Sequence, residues 1–187
     1  MKLNLKEVLK PAGILFAICL IVAAALAGTN LLTEEKIAEA AAKKAEESRL
    51  VVLPEADSFE AKSDGSSGEY YVGQKDGSIV GYVFETSAKG YGGDVKVMTG
   101  FSVSGDITGV VILSHSETPG LGANAEKEEF RNQFKQEKPI RDIEVVKYQT
   151  PEHGQIEAMT GATITSKAVT TAVNQAQSIF YAVTELE

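Results

Sequence analysis

From Pro11 to Leu32 the chain reads PAGILFAICLIVAAALAGTNLL, and no charged side chain occurs between Lys10 and Glu34. A helix of about 20 apolar residues crosses a hydrocarbon core of about 30 Å, so this stretch predicts one transmembrane helix over residues 11–32. The small residues of Ala23 to Ala27 also suit a signal-peptide cleavage region. The apolar run, however, continues through Leu31 and Leu32 and outlasts the usual ~7–15-residue core of such a peptide. A retained anchor fits the pattern better. Lys2, Lys6 and Lys10 precede the span, whereas Glu34, Glu35 and Lys36 follow it. The positive-inside bias then places residues 1–10 in the cytoplasm and everything beyond Leu32 outside.

After the span the periodicity changes. Thr33 opens TEEKIAEAAAKKAEESRL, a run of strong helix formers behind a residue suited to an N-cap. Ile37 and Leu50 are its only large apolar side chains, so a solvated helical stalk and a strip lying on the domain both fit it. Val51 to Ser67 carries Pro54, Asp57, Asp64, Gly65, Ser66 and Ser67 and reads as an irregular lead-in and loop. Residues 33–67 are thus expected to be stalk and linker, and 68–187 the folded domain.

Within that domain, apolar alternation predicts strands over Glu69 to Gln74 and Ser78 to Thr86, with Asp76-Gly77 supplying the hairpin turn. The arrangement repeats at Val95 to Val103 and Ile107 to Leu113 around Ser104-Gly105-Asp106. Two successive hairpins imply an antiparallel sheet. Phe130 and Phe134, at i and i+4 in AEKEEFRNQFK, predict a short amphipathic helix. Ile143 to Tyr148 fits a further strand. Val169, Val173, Ala176, Phe180 and Val183 recur on one face of a long helix over Thr165 to Val183. Strands in sequence with helices set around them give an α+β class: one amino-terminal transmembrane helix, then an extracytoplasmic antiparallel-sheet domain with packed helices.

Composition narrows the chemistry. The net charge is −8, and three of the lysines lie ahead of the span, so the outer domain is acidic and unsuited to nucleic acid. The one cysteine, Cys19, lies inside the apolar run, and the two histidines, His115 and His153, are far apart in the chain. Ligand clusters for zinc, haem or iron–sulfur groups are missing from this pattern. A redox role would call for an organic cofactor.

One stretch offers an anion site: Glu157-Ala158-Met159-Thr160-Gly161-Ala162-Thr163-Ile164-Thr165-Ser166, which leads into the long final helix. Helix amino termini present unpaired N–H groups and the positive end of the dipole, so a phosphate near Thr163 would be favoured. Gly161 and Ala162 add little bulk beside it. The same residues also suit a plain helix start, with Thr160, Thr165 or Ser166 as cap and the small residues as a turn, and such capping signals are common. Spacing leaves both open.

The stretch resembles the flavinylation motif of the FMN-binding domain family, in which an Asp, two variable residues and Ser or Thr precede Gly-Ala-Thr. In that family the last threonine is esterified to the FMN phosphate by a flavin transferase that uses FAD. The resemblance places FMN on Thr163, with Thr160, Gly161, Ala162 and Thr165 around it; Glu157 stands where Asp is usual. Two glycine-rich loops extend the likeness, Lys89-Gly90-Tyr91-Gly92-Gly93-Asp94 and His115-Ser116-Glu117-Thr118-Pro119-Gly120-Leu121-Gly122. In this order, and with the single span, they are similar to the RnfG family, the G components of bacterial Rnf ion-translocating electron-transport complexes. That likeness implies Glu117, Thr118, Gly120, Leu121, Gly122 and Tyr91 as further cofactor contacts, and other Rnf membrane subunits as partners.

The likeness also implies a place in the cell membrane and a role as an electron carrier, not a stand-alone catalyst. The complex would pass electrons from ferredoxin to NAD and couple the flow to sodium or proton transport. The C component of the sodium-pumping NADH:quinone oxidoreductase shares the architecture and the flavin threonine, but is typically longer. A solitary membrane-tethered FMN module, or a tethered binding module without a cofactor, is the remaining alternative. His115 is assigned no catalytic role, since a catalytic histidine needs a defined orienting partner.

Overall fold

The computed structural model describes residues 5–63, 68–139 and 142–184. Lys2 and the expected loop residues Asp64, Gly65, Ser66 and Ser67 lie outside them. Contacts divide the chain into two units, one ending at Lys43 and one beginning at Lys44.

The first unit is helical throughout its described length, as part of helix α1, Leu5–Val52. Thr33 does not cap a new helix. No helix breaker separates the apolar run from the Ala- and Glu-rich run, so the helix continues, and the Thr33 hydroxyl donates to the Thr29 carbonyl at 2.9 Å. Thr29 donates in the same way to Ala25, also at 2.9 Å. Both hydroxyls are therefore satisfied within the helix, as an apolar surrounding requires. Every residue from 9 to 43 is exposed, and the helix is long and apolar enough to cross a membrane by length and composition.

The second unit is built on an antiparallel meander. Strands β1 (Ser58–Ser63), β2 (Glu69–Lys75), β3 (Ser78–Lys89), β4 (Asp94–Ser102) and β5 (Ile107–Ser114) lie side by side in chain order. The β2–β3 turn places Asp76 (φ 51°) and Gly77 (φ 78°) in the left-handed region, as the favoured two-residue hairpin turn requires. β1 falls where composition reads as an irregular lead-in. It is an edge strand whose one large apolar residue is Phe59, and it is held by backbone pairing to β2 from Ser58↔Gln74 to Ser63↔Glu69. Such pairing leaves no periodic trace in the sequence.

After β5 the expected amphipathic helix is broken into α2 (Glu128–Arg131) between two 3-10 turns, Gly122–Glu126 and Asn132–Phe134. Lys127, in extended conformation (φ −69°, ψ 142°), makes the break. Phe130 and Phe134 nevertheless meet as anticipated, with ring centroids 5.5 Å apart, and both are buried. Short strands β6 (Glu144–Val146) and β7 (Gln155–Glu157) then pair in parallel, and α3 (Thr163–Thr184) closes the chain's described part.

The two sheet faces bury different partners, as strand alternation dictates. Tyr82, Phe84, Val95, Val97 and Phe101 pack with Val169, Val173, Ala176, Phe180 and Val183 of α3, the five positions the helical period singles out. On the opposite face Val83 and Met98 meet Val52, Leu53 and Ala56 at and after the end of α1. Glycines make room there. A Cβ on Gly100 would stand 2.4 Å from the Val52 carbonyl oxygen, and one on Gly109 would stand 2.9 Å from the Val52 Cα. The Thr108 hydroxyl donates to the same Val52 carbonyl at 2.5 Å, which satisfies an otherwise orphaned helix-end acceptor.

Candidate functional site

The chain enters α3 through a tight turn. The Ala162 N–H donates to the Met159 carbonyl at 3.0 Å, and Gly161, at the third position of that turn, takes φ 75°, a value at which a side chain would be strained. Ser166, fully buried, fastens the turn from inside: its hydroxyl accepts from the Met159 N–H at 3.0 Å and donates to the Ala162 carbonyl at 3.0 Å. Glu157, just upstream, has its backbone held by the Gln133 side-chain amide. Its N–H donates to Gln133 Oε1 at 2.7 Å, and its own side chain is exposed.

Thr163 is the first residue of α3. The first helical bond near this end runs from the Ser166 N–H to the Ala162 carbonyl at 2.9 Å, so the N–H groups of Thr163, Ile164 and Thr165 have no intrahelical acceptor. The hydroxyls around them divide into two kinds. Ser166 is committed to the turn, and Thr165 donates to Glu117 Oε2 at 2.5 Å. Thr163, half-buried, makes no side-chain hydrogen bond among the described residues.

The loop after β5 meets this helix end from the other side. Glu117 is buried, and its carboxylate accepts from the Thr165 hydroxyl and, at 2.9 Å through Oε1, from the Gly92 N–H. One side chain thus ties the loop after β3, the loop after β5 and the first turn of α3 together. Burial pushes the Glu117 carboxyl up. The Thr165 hydroxyl, the N–H groups of Gly92 and Tyr91 and the neighbouring His115 outweigh it, and the group sits below its ordinary value. His115 accepts the Glu117 N–H on Nδ1 at 3.1 Å, which fixes the loop. Gly122 must be bare, since a Cβ there would lie 2.4 Å from Glu117 Oε2 and 2.6 Å from Thr165 Oγ1.

Between these elements lies a cleft of about 650 Å³, within the ~300–1,000 Å³ usual for small-molecule sites. Tyr91, Glu117, Thr118, Leu121, Gly122, Gly161, Ala162, Thr163 and Thr165 line it, so nine of the residues singled out from sequence come together around one cavity. Thr160 and Gly120 do not line it. Thr160 faces a separate hollow of about 330 Å³ beside Phe130 and Met159. Gly120 (φ 79°) serves the turn, where its carbonyl accepts from Asn124 Nδ2 at 2.9 Å. Two lining residues are not among the expected cofactor contacts, Ile164 and Tyr148, the latter expected to end a strand that instead stops at Val146. Both sit among polar or small neighbours without a repeating pattern.

Comparison with known proteins gives this cleft a family. The FMN-binding domain family matches residues 90–178, which includes every lining residue, and the RnfG N-terminal region matches residues 1–50. The G component of the Na(+)-translocating ferredoxin:NAD(+) oxidoreductase complex of Acetobacterium woodii is 39% identical over 96% of this chain and 94% of its own length. The chain belongs to the RnfG family. A second member, the G component of the proton-translocating ferredoxin:NAD(+) oxidoreductase complex of Clostridium ljungdahlii, is 38% identical over 84% of this chain and 83% of that one. With one apolar helix of spanning length among the described residues, this RnfG-family chain is a single-pass membrane protein.

Solved structures outside the RnfG family share the fold. The C component of the Na(+)-translocating NADH-quinone reductase from Parabacteroides distasonis superposes with a TM-score of 0.54 at 26% identity. The superposition covers 65% of each chain, so it spans just under two thirds of that protein. NqrC of Shewanella oneidensis gives a TM-score of 0.56 over 73% of this chain and 74% of its own, at 18% identity, a likeness of fold alone.

Proposed function

We propose that this chain is the member of a membrane Rnf-type complex that carries FMN as a phosphoester on Thr163 and relays electrons within the complex. The complex moves electrons from ferredoxin to NAD and couples them to sodium or proton translocation. The observation that carries this reading is the free Thr163 hydroxyl on the first residue of α3, at the edge of the cleft and beside unpaired helix N–H groups, while the Thr165 and Ser166 hydroxyls of the same turn are committed.

The residues fit the group. The unpaired N–H groups at the start of α3 and the dipole behind them favour the phosphate. Gly122 and Gly161 let backbone approach the cleft closely, and Leu121, Ile164 and Tyr91 give it apolar and aromatic walls. Bound FMN supplies one- and two-electron redox chemistry. In maturation the Thr163 oxygen takes the FMN phosphoryl group from FAD held by a flavin transferase. The pyrophosphate bond breaks, AMP leaves and the hydroxyl proton passes to the transferase. Glu117 stays ionised and holds the two loops against α3, so the cleft keeps its shape.

The exposed apolar helix is seated in the lipid bilayer, and the lysines ahead of it keep the amino terminus cytoplasmic, with the FMN-binding domain that follows it outside. A covalent link there prevents loss of the cofactor to the medium. The A. woodii and C. ljungdahlii relatives, matched over most of their length, favour this reading over the quinone-reductase component, whose likeness to this chain is weaker. The test is ferredoxin-dependent NAD reduction by membranes containing the whole complex. Thr163→Ala should abolish it while the variant still co-purifies with the other Rnf membrane subunits; unchanged activity would refute the assignment.

A further inference from the structure

The chain has six tyrosines, and the fold absorbs four of them. Tyr70 and Tyr82 are buried in the main core, Tyr181 packs against it, and Tyr71 packs on the opposite face beneath the Arg49 guanidinium. The two that remain in solvent, Tyr91 at 73% exposure and Tyr148 at 94%, both line the cleft beside Thr163. Tyr148 is the less explicable. An aromatic ring left almost wholly in water gains nothing for folding, and its backbone takes φ 56°, a conformation that a bulky residue rarely adopts.

The loop that carries Tyr148 is anchored at both ends. Asn174 of α3 exchanges two hydrogen bonds with the Ile143 backbone, at 2.9 and 3.0 Å. At the far end, the Gly154 N–H donates to Gln136 Oε1 at 2.7 Å. Tyr148 also lines a second, small hollow with Thr160, Gly161 and Thr163, so it borders the free hydroxyl in both cavities. Unfavourable backbone geometry of this kind collects at ligand sites, where the bound partner repays it.

We propose that Tyr148 is a flavin-contacting residue, whose phenol covers the isoalloxazine ring of FMN held at Thr163 and shields it from solvent. The inference rests on the flavin reading of the cleft. It is tested on the full-length chain, co-expressed with a flavin transferase and purified in detergent, as wild type, Tyr148→Ala and Tyr148→Phe. Emission after denaturation reports how much flavin is attached. The ratio of native to denatured emission, and quenching of native emission by iodide, report what covers the ring per attached flavin.

A phenol in contact with a flavin quenches its emission. Tyr148→Ala should therefore raise the native-to-denatured ratio severalfold and increase iodide quenching. Tyr148→Phe should raise the ratio but keep the iodide shielding. If both readouts in Tyr148→Ala match wild type, the contact does not exist. A wild type with no attached flavin would instead defeat the function proposed for the cleft, so the two failures are distinguishable.

Discussion

Thr163, Thr165 and Ser166 lie within one helical turn, yet their hydroxyls have separate fates, and Glu117 is the reason. Its buried carboxylate accepts hydrogen bonds from the Thr165 hydroxyl and the Gly92 N–H, leaving Thr163 to face the cleft. Glu117→Gln keeps the shape but replaces one acceptor oxygen by an NH2 group that faces a donor. Since hydrogen bonds to charged groups are worth about 1.5–3 kcal/mol each, a loss of that order is expected in urea unfolding at neutral pH. Near-ultraviolet circular dichroism of the tyrosines can follow it, as the chain has no tryptophan.

The pH dependence has a definite sign. The folded-state pKa of Glu117 lies below its ordinary value, so its contribution is fully present above about pH 4.3 and is lost as pH falls through the folded value. The variant should be less stable than wild type near pH 7 and show a shallower acid limb. An unchanged acid limb would mean the carboxylate is not the tie. Resemblance to the flavinylation motif singles out Thr163; spacing alone leaves it among several hydroxyls at a helix start. Spacing cannot separate Thr163 from Thr165 and Ser166, because what commits those two lies 48 residues upstream in Glu117 and across the turn at Met159. Tyr148 reads in the sequence only as the end of a strand from Ile143; the strand stops at Val146, and Lys147, Gln149 and Thr150 give no signal that sets Tyr148 at the cleft.

The elements hold the site by two attachments to the sheet. α3 covers one face through the apolar stripe that its 3.6-residue period predicts, and the Thr86 hydroxyl of β3 donates across to the Ala172 carbonyl at 2.8 Å. The end of α1 occupies the other face, in a socket that Gly100 and Gly109 keep shallow. Gly100→Ala drives a methyl group into the Val52 carbonyl and the Thr108 hydroxyl that bonds to it. Overpacking of this kind costs about 1–3 kcal/mol, and the urea midpoint of the full-length chain in detergent should fall accordingly. An unchanged midpoint would show that the α1 end is not seated there. Both hairpins were legible because Asp76-Gly77 and Gly105 sit between β-rich runs. The socket was not, because a glycine in a strand announces close approach without saying by what.

For the whole molecule, charge and hydropathy give the plan and the fold gives the site. The uncharged run from Pro11 to Leu32 lies within α1, which runs from Leu5 to Val52. Acid weakens the domain in more than one place. The Ser104 hydroxyl and the Lys138 N–H hold the Asp106 carboxyl below its ordinary value, so its stabilisation, like that of Glu117, fades as pH falls through the lowered value.

The central claim is that Thr163 bears the flavin, and it is tested most directly by intact mass and in-gel fluorescence after denaturation. The protein is co-expressed with a flavin transferase, wild type beside Thr163→Ala. The account predicts a fluorescent wild-type band with the mass of esterified FMN and a dark variant of unmodified mass. A dark wild type made beside an active transferase, or a fluorescent Thr163→Ala, would contradict it.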